Sequence, residues 1–397
     1  MAALDEAMGS IFVNPGGPGA SGVDFVANGF RLDSESSKRF DLIGFDPRGI
    51  ARSAGLACAF DRSQGPLPDF SPDNQGEAAA LDDQAQEIAQ SCGQLDADLL
   101  PHLTTPTVAR DLDLLREAVG DDQLHYLGFS YGTLLGLAYA ELYPERVGHL
   151  VLDGLVDPTA SLAEALTGQA GGFESALAEL DRACSDRLDC PPGGALAAHD
   201  TLIAELERIG PQGQVGTTEV EMAALVTAYD DRLWPRYVDA LDAAIGGDYG
   251  QLESLSDSYL GGSSFVSYVA VTCTDSPRPT TPEGWDQLAA DLTGHSPRFG
   301  ATLANELRTC AHWTVPAAPE HQPVVAAGAE PILVIGTTND PATPLTNAER
   351  VAATLDDARL VVFDGDRHLA YGASQCVRDI VMRYLIDDEI PAATTHC

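Results

Sequence analysis

The sequence predicts an α/β fold with a mostly parallel sheet and an inserted, mainly helical cap, and three observations carry that expectation. Short apolar runs that read as strands alternate with helical runs through residues 1–154. The rhythm then gives way, over residues 155–327, to helical stretches and loops with few strand runs. It resumes over residues 328–397, so the expected order is core, cap, core.

Residues 9–13 read as a first strand ending in Asn14-Pro-Gly-Gly-Pro-Gly19, and residues 40–45 as a second ending in Asp46-Pro-Arg-Gly49. Residues 107–119 place Val108, Leu112, Leu115 and Val119 on one face, the pattern of an amphipathic helix. A buried strand follows over 124–127 and breaks into Gly128-Phe-Ser130-Tyr-Gly132, after which 133–142 reads as a helix. The next strand, 149–152, ends in Asp153-Gly154. Within the cap, residues 172–183, 196–209 and 236–245 read as helices, and the Pro/Gly-rich patches at 191–194, 277–282 and 316–323 as loops. The last section offers strands at 331–336 and 360–363 and helices at 347–355 and 377–385.

Composition narrows the function classes. A net charge of -38, from 60 acidic against 22 basic residues and a single lysine, Lys38, argues against nucleic acid or an anionic membrane surface as partner. That charge reads most simply as a solvated acidic surface. No apolar run reaches the roughly 18 residues a membrane-spanning helix needs. The eight cysteines, Cys58, Cys92, Cys184, Cys190, Cys273, Cys310, Cys376 and Cys397, form no C-x-x-C pair and stand beside no histidine at zinc spacing, so disulfides fit better than a metal. Their connectivity does not follow from spacing. Residues 1–10 show neither the basic start nor the apolar run of a signal peptide.

Gly128-Phe-Ser130-Tyr-Gly132 has the form of a nucleophile elbow, in which a serine sits on a strained turn between strand and helix and flanking Cβ atoms would clash across the bend. Five residues with three fixed are weak evidence in a chain with 38 glycines; the strand before and the helix after make the match specific. A serine nucleophile needs a base and a carboxylate that orients it, and in this kind of fold they follow in the order Ser, acid, His. Asp340 stands in the loop after strand 331–336, and His368 follows strand 360–363, both at strand C-termini, where open α/β sheets place their sites. His368 competes with eight other histidines, and position favours it: His125 precedes the serine, and His295 and His312 fall in the cap. Asp364, Asp366 and Asp153 compete with Asp340 for the acid position. Backbone N–H donors for the oxyanion are expected from Tyr131 and from Gly16 or Gly17 in the proline-stiffened loop. This chemistry requires no cofactor and no metal.

Asn14-Pro-Gly-Gly-Pro-Gly-Ala-Ser-Gly22, Asp41-Leu-Ile-Gly-Phe-Asp-Pro-Arg-Gly49, Gly128-Phe-Ser-Tyr-Gly-Thr133, Asp340-Pro-Ala-Thr-Pro344 and His368 together resemble the secreted actinobacterial tripeptidyl aminopeptidases, relatives of proline iminopeptidase in the α/β-hydrolase fold. The resemblance covers essentially the whole chain, including Val151-Leu-Asp-Gly154. It implies Ser130 as nucleophile, His368 as general base and acid and Asp340 as its orienter, acting on peptides with a free amino terminus. It also implies secretion and disulfides pairing Cys58 with Cys92, Cys184 with Cys190, Cys273 with Cys310, and Cys376 with Cys397. Three departures stand out. The family's chains carry a longer N-terminal stretch, with a signal peptide and further strands. Their base motif commonly reads Gly-His-Gly where this chain has Arg367-His368-Leu369, and Ala51 stands where a glycine is usual.

An aminopeptidase must hold an ammonium group, and a buried carboxylate does so well in a low dielectric. Asp275 is the first candidate, with Glu219 and Glu221 behind it; Trp234, Tyr237 and Trp313 are candidate lining residues for which core packing is the simpler role. Two other readings remain open from sequence: a carboxylesterase or lipase-like hydrolase, which would need no amine anchor, and a non-catalytic interaction protein on the same fold.

Overall fold

Every apolar run read as a strand lies in one sheet of the computed structural model, which describes residues 1–3, 7–58, 65–186, 190–260 and 264–397. Residues 4–6, part of the N-terminal stretch read above, lie outside them. The strands are β1 (Gly9–Asn14), β2 (Phe40–Gly44), β3 (Leu124–Phe129), β4 (Val147–Asp153), β5 (Ile332–Thr337), β6 (Ala358–Phe363) and β7 (Thr394–His396). All pairs are parallel and the order is β2-β1-β3-β4-β5-β6-β7. β7 escapes sequence reading because three residues, Thr-Thr-His, carry no apolar pattern.

The central strands are buried on both faces, and successive side chains feed opposite layers. Phe12, Tyr126, Leu150 and Val334 pack into one layer, and Ile11, Val13, Leu127, Val151 and Leu333 into the other. The helix expected at 107–119 runs from Thr105 to Val119, opened by Pro106 in its first turn and closed by Gly120 at φ +89°. Parallel pairing brings every strand's C-terminus to one sheet edge, so the loops after β1, β3, β4, β5 and β6 converge there.

Between β4 and β5 the chain builds helices, among them Leu162–Ser185, Ala195–Ile209, Thr217–Ala228, Ser264–Asp275 and Pro282–His295. They bury a second apolar cluster around Phe173, Leu225, Leu241 and Trp285. Ile50, Leu81, Cys92 and Leu100, from before β3, pack into that same cluster, so the cap's interior draws on the segment between β2 and β3 as well. Four disulfides join Cys58–Cys92, Cys184–Cys190, Cys273–Cys310 and Cys376–Cys397. Among the described residues, no helix is long and apolar enough to cross a membrane.

Candidate active site

The turn at Ser130 has the backbone its sequence pattern requires. Ser130 adopts φ +53° and ψ −125°, a region costly for any residue with a side chain, and its N–H is held by Asp153 O at 3.0 Å. A Cβ on Gly128 would lie 2.5 Å from Gly132 O, and one on Gly132 would lie 2.7 Å from Asn14 O. The flanking glycines are thus sterically obligatory. Thr133 Oγ1 donates to Ser130 O at 2.6 Å and accepts from Val156 N at 3.0 Å, tying the elbow to the loop after β4.

The loops after β5 and β6 bring Asp340 and His368 together. His368 Nδ1 lies 2.8 Å from Asp340 Oδ1 and 2.9 Å from Oδ2. Asp340 is buried, and its carboxylate also accepts from Ala342 N at 2.9 Å, Thr343 N at 2.8 Å and Thr343 Oγ1 at 3.1 Å. A carboxylate facing Nδ1 fixes the proton there and leaves the lone pair on Nε2. His368 Nε2 is buried and has no hydrogen-bond partner among the described residues, and the imidazole lines the same cavity as Ser130.

The competing acids have other tasks. Asp364 accepts from Thr338 Oγ1 at 3.1 Å and Asp366 from Asn339 Nδ2 at 2.7 Å, both on exposed loop surface. Asp153 is fully buried and accepts the N–H groups of Ala370 and Tyr371, and burial raises its pKa to about 6.

Gly16 approaches the elbow so closely that a Cβ there would meet Phe129 O at 2.4 Å, but its N–H donates to Asn14 Oδ1 at 2.9 Å. Asn14, which heads the motif but carries no role of its own in the sequence reading, therefore shapes this loop with its side chain.

Two cavities open on Ser130. The larger, of about 410 Å³, is lined by His368, Tyr229, Phe265, Tyr268 and Glu306. The smaller, of about 150 Å³, is lined by Tyr131, Asp275, His321 and Thr343, and both share Gly17, Pro18, Gln169 and Tyr268. Asp275 is thus beside the site, with burial raising its pKa against the hydrogen bonds of Thr105. Glu306, missed from sequence, is buried and accepts from Tyr268 Oη at 2.8 Å and Tyr259 Oη at 3.1 Å. Burial raises its pKa to about 7. Glu306 stands in the turn just after the short helix Gly300–Asn305, where an acid carries no distinguishing sequence signal.

Glu219 and Glu221 line neither cavity. Glu219 accepts from Leu67 N at 2.8 Å, and Glu221 from Ser71 Oγ at 2.9 Å and Thr302 Oγ1 at 2.5 Å. Trp234, Tyr237 and Trp313 likewise stand outside both cavities, with Tyr237 Oη bonded to His199 Nδ1 and Trp313 Nε1 to Thr274 Oγ1. Asp69, Glu77 and Glu207 bring carboxylate oxygens within 4.8 Å of one another, but also away from these cavities.

Residues 9–372 match the family model described as alpha/beta hydrolase fold. The serine protease Hip1 of Mycobacterium tuberculosis is 33% identical over 427 residues, spanning 100% of this chain and 82% of that protein. A protein named carboxylesterase B from the same species is 33% identical, with 100% of this chain and 81% of that one covered. The tripeptidyl aminopeptidase of Streptomyces lividans is 30% identical, covering 99% of this chain and 77% of that protein. The elbow, the Asp340–His368 pair and these relatives agree: the chain belongs to the alpha/beta hydrolase fold family and is a serine hydrolase.

Proposed function

We propose that this enzyme is an exopeptidase that releases short N-terminal peptides from substrates with a free α-amino group. Ser130 Oγ attacks the scissile carbonyl while His368 Nε2 takes its proton; Asp340 holds the ring and stabilises the imidazolium. The tetrahedral oxyanion is met by the N–H groups of Gly17 and Tyr131, because that of Gly16 is already given to Asn14. His368 then protonates the leaving amine, and water hydrolyses the acyl-enzyme by the same steps reversed.

One observation supports the amino-terminal reading above the others. Glu306 is a buried carboxylate in the larger Ser130 cavity, whose described hydrogen-bond partners are the two neutral tyrosine hydroxyls. A substrate ammonium there would supply the missing positive charge and stabilise the ionised carboxylate. Asp275, in the smaller cavity and bonded to Thr105, is the second candidate for this role. The four disulfides support an exported protein, since the cytosol keeps thiols reduced.

The test is hydrolysis of a tripeptidyl chromogenic amide with free and with acetylated amino terminus. The free substrate should be preferred by roughly a hundredfold, and Glu306→Gln should erase most of that preference while Ser130→Ala abolishes turnover. Equal rates on both substrates would sink the aminopeptidase reading. Turnover of simple acyl esters without peptide cleavage would move the chain toward the esterase that one relative's name denotes.

A further inference from the structure

The loop that carries His368 is fastened to the cap by two consecutive residues. His368 N–H donates to Tyr229 O at 2.9 Å, and the Tyr229 ring stands edge-on to the imidazole with centroids 5.4 Å apart. Asp230 and Arg367 form an antiparallel bridge. Arg367, largely buried, pairs with Asp230 at 2.5 Å and with Asp231 through Nε at 3.0 Å, while Arg232 Nε also donates to Asp230, at 3.0 and 2.9 Å to its two oxygens. The imidazole itself is bonded to Asp340 of the core. The base thus has its backbone on the cap and its ring on the sheet.

We propose that Arg367 is a positioning residue whose ion pairs to Asp230 and Asp231 clamp the cap onto the base loop, so that His368 Nε2 is aligned on Ser130 only while the cap is docked. The physical reason is that a buried guanidinium cannot be left unpaired without a large desolvation cost, so the 229–231 turn and residue 367 move together. Any cap displacement that admits substrate pulls on the backbone N–H of residue 368. A shift of about 1 Å in a reacting group costs on the order of a hundredfold in rate. The clamp therefore couples closure over the substrate to competence of the base, which an uncharged Gly-His-Gly loop would not do through this residue.

The proposal rests on His368 as the base, and the experiment separates the two. The full chain is labelled with a small fluorophosphonate, which reports serine activation without filling the cap cavities, and kcat and KM are measured on the tripeptidyl amide. Arg367→Ala should slow labelling and kcat by about tenfold to a hundredfold, with KM changed far less. Arg367→Lys should recover a substantial part of both, since its ammonium reaches one of the two carboxylates. Where Arg367→Ala fails to fold, Asp231→Asn carries the test, with labelling slowed by about threefold. Wild-type labelling rates in these variants, a loss confined to KM, or Arg367→Lys as slow as Arg367→Ala would overturn the clamp alone. A wild-type chain that does not label would overturn the reading of the site and the clamp with it.

Discussion

Tyr371 N–H donates to Asp153 Oδ2 at 2.8 Å, and this bond joins the end of β4 to the chain just past His368. Ala370 N–H donates to the same carboxylate at 3.1 Å. Asp153→Asn replaces one acceptor oxygen with a donor that faces those N–H groups. It should destabilise the fold by about 1 to 3 kcal/mol and slow Ser130 labelling, because the segment after His368 loses its anchor. Thermal unfolding and fluorophosphonate kinetics check the two effects together.

Asp340→Asn leaves the loop's shape intact but puts an amide where a carboxylate faces Nδ1. The ring would then favour the wrong tautomer and lose the charge that supports the imidazolium. A fall in kcat of roughly 10⁴-fold with little change in melting temperature is expected, comparable to the corresponding change in a serine protease triad.

Several buried carboxylates hold their protons unusually tightly: burial raises Glu221 to about 8, Glu306 to about 7 and Asp153 to about 6, and raises Asp275 as well. Their folded-state pKa values lie above the unfolded ones, so ionising them disfavours the fold, and stability should rise as pH falls from about 9 to 6.5. His125 and His199 act the other way, since burial lowers both to about 4 from 6.5. Below pH 6.5 the unfolded chain takes up protons that these rings refuse, and the gain should stop. Melting temperature against pH checks this, and Glu221→Gln should flatten the alkaline slope of stability by on the order of 1 kcal/mol per pH unit.

Substrate choice should respond to pH in the opposite direction. Glu306 must be ionised to hold an ammonium, so the preference for free over acetylated amino termini should fade as pH falls through about 7. The ratio of the two kcat/KM values across pH 5.5 to 8.5 measures it; a ratio independent of pH would remove Glu306 from the amine site.

Ala51 sits at φ +42°, where an L side chain is strained and glycine is not. Ala51→Gly should raise stability by about 0.5 to 1 kcal/mol, the relief of strain exceeding the added backbone entropy of the unfolded chain. Chemical denaturation midpoints check it.

Much of this molecule was legible without coordinates because its signals are local. Strand 124–129 ending in Gly-Phe-Ser-Tyr-Gly reads correctly because the steric demand of the turn, seen in the short distances around Gly128 and Gly132, falls on residues adjacent in sequence. Asp340 and His368 were legible for a related reason: a parallel sheet sends every strand's C-terminus to one edge, so position after a strand is already a position in space.

Glu306, Asn14, Arg367 and the two-cavity arrangement were not legible. Glu306 becomes distinctive only when Tyr259 and Tyr268 surround it, and the bond from Gly16 N–H to Asn14 Oδ1 is seen only in the folded loop. What the local sequence marks is position: the elbow at Ser130, Asp340 and His368 each follow a strand end, flagged by the turn residues the backbone requires there. The tertiary structure was needed to show that Glu306 shares a cavity with Ser130 and that Arg367 pairs with Asp231, 136 residues away, because contacts between distant segments depend on how the cap packs and leave no local pattern.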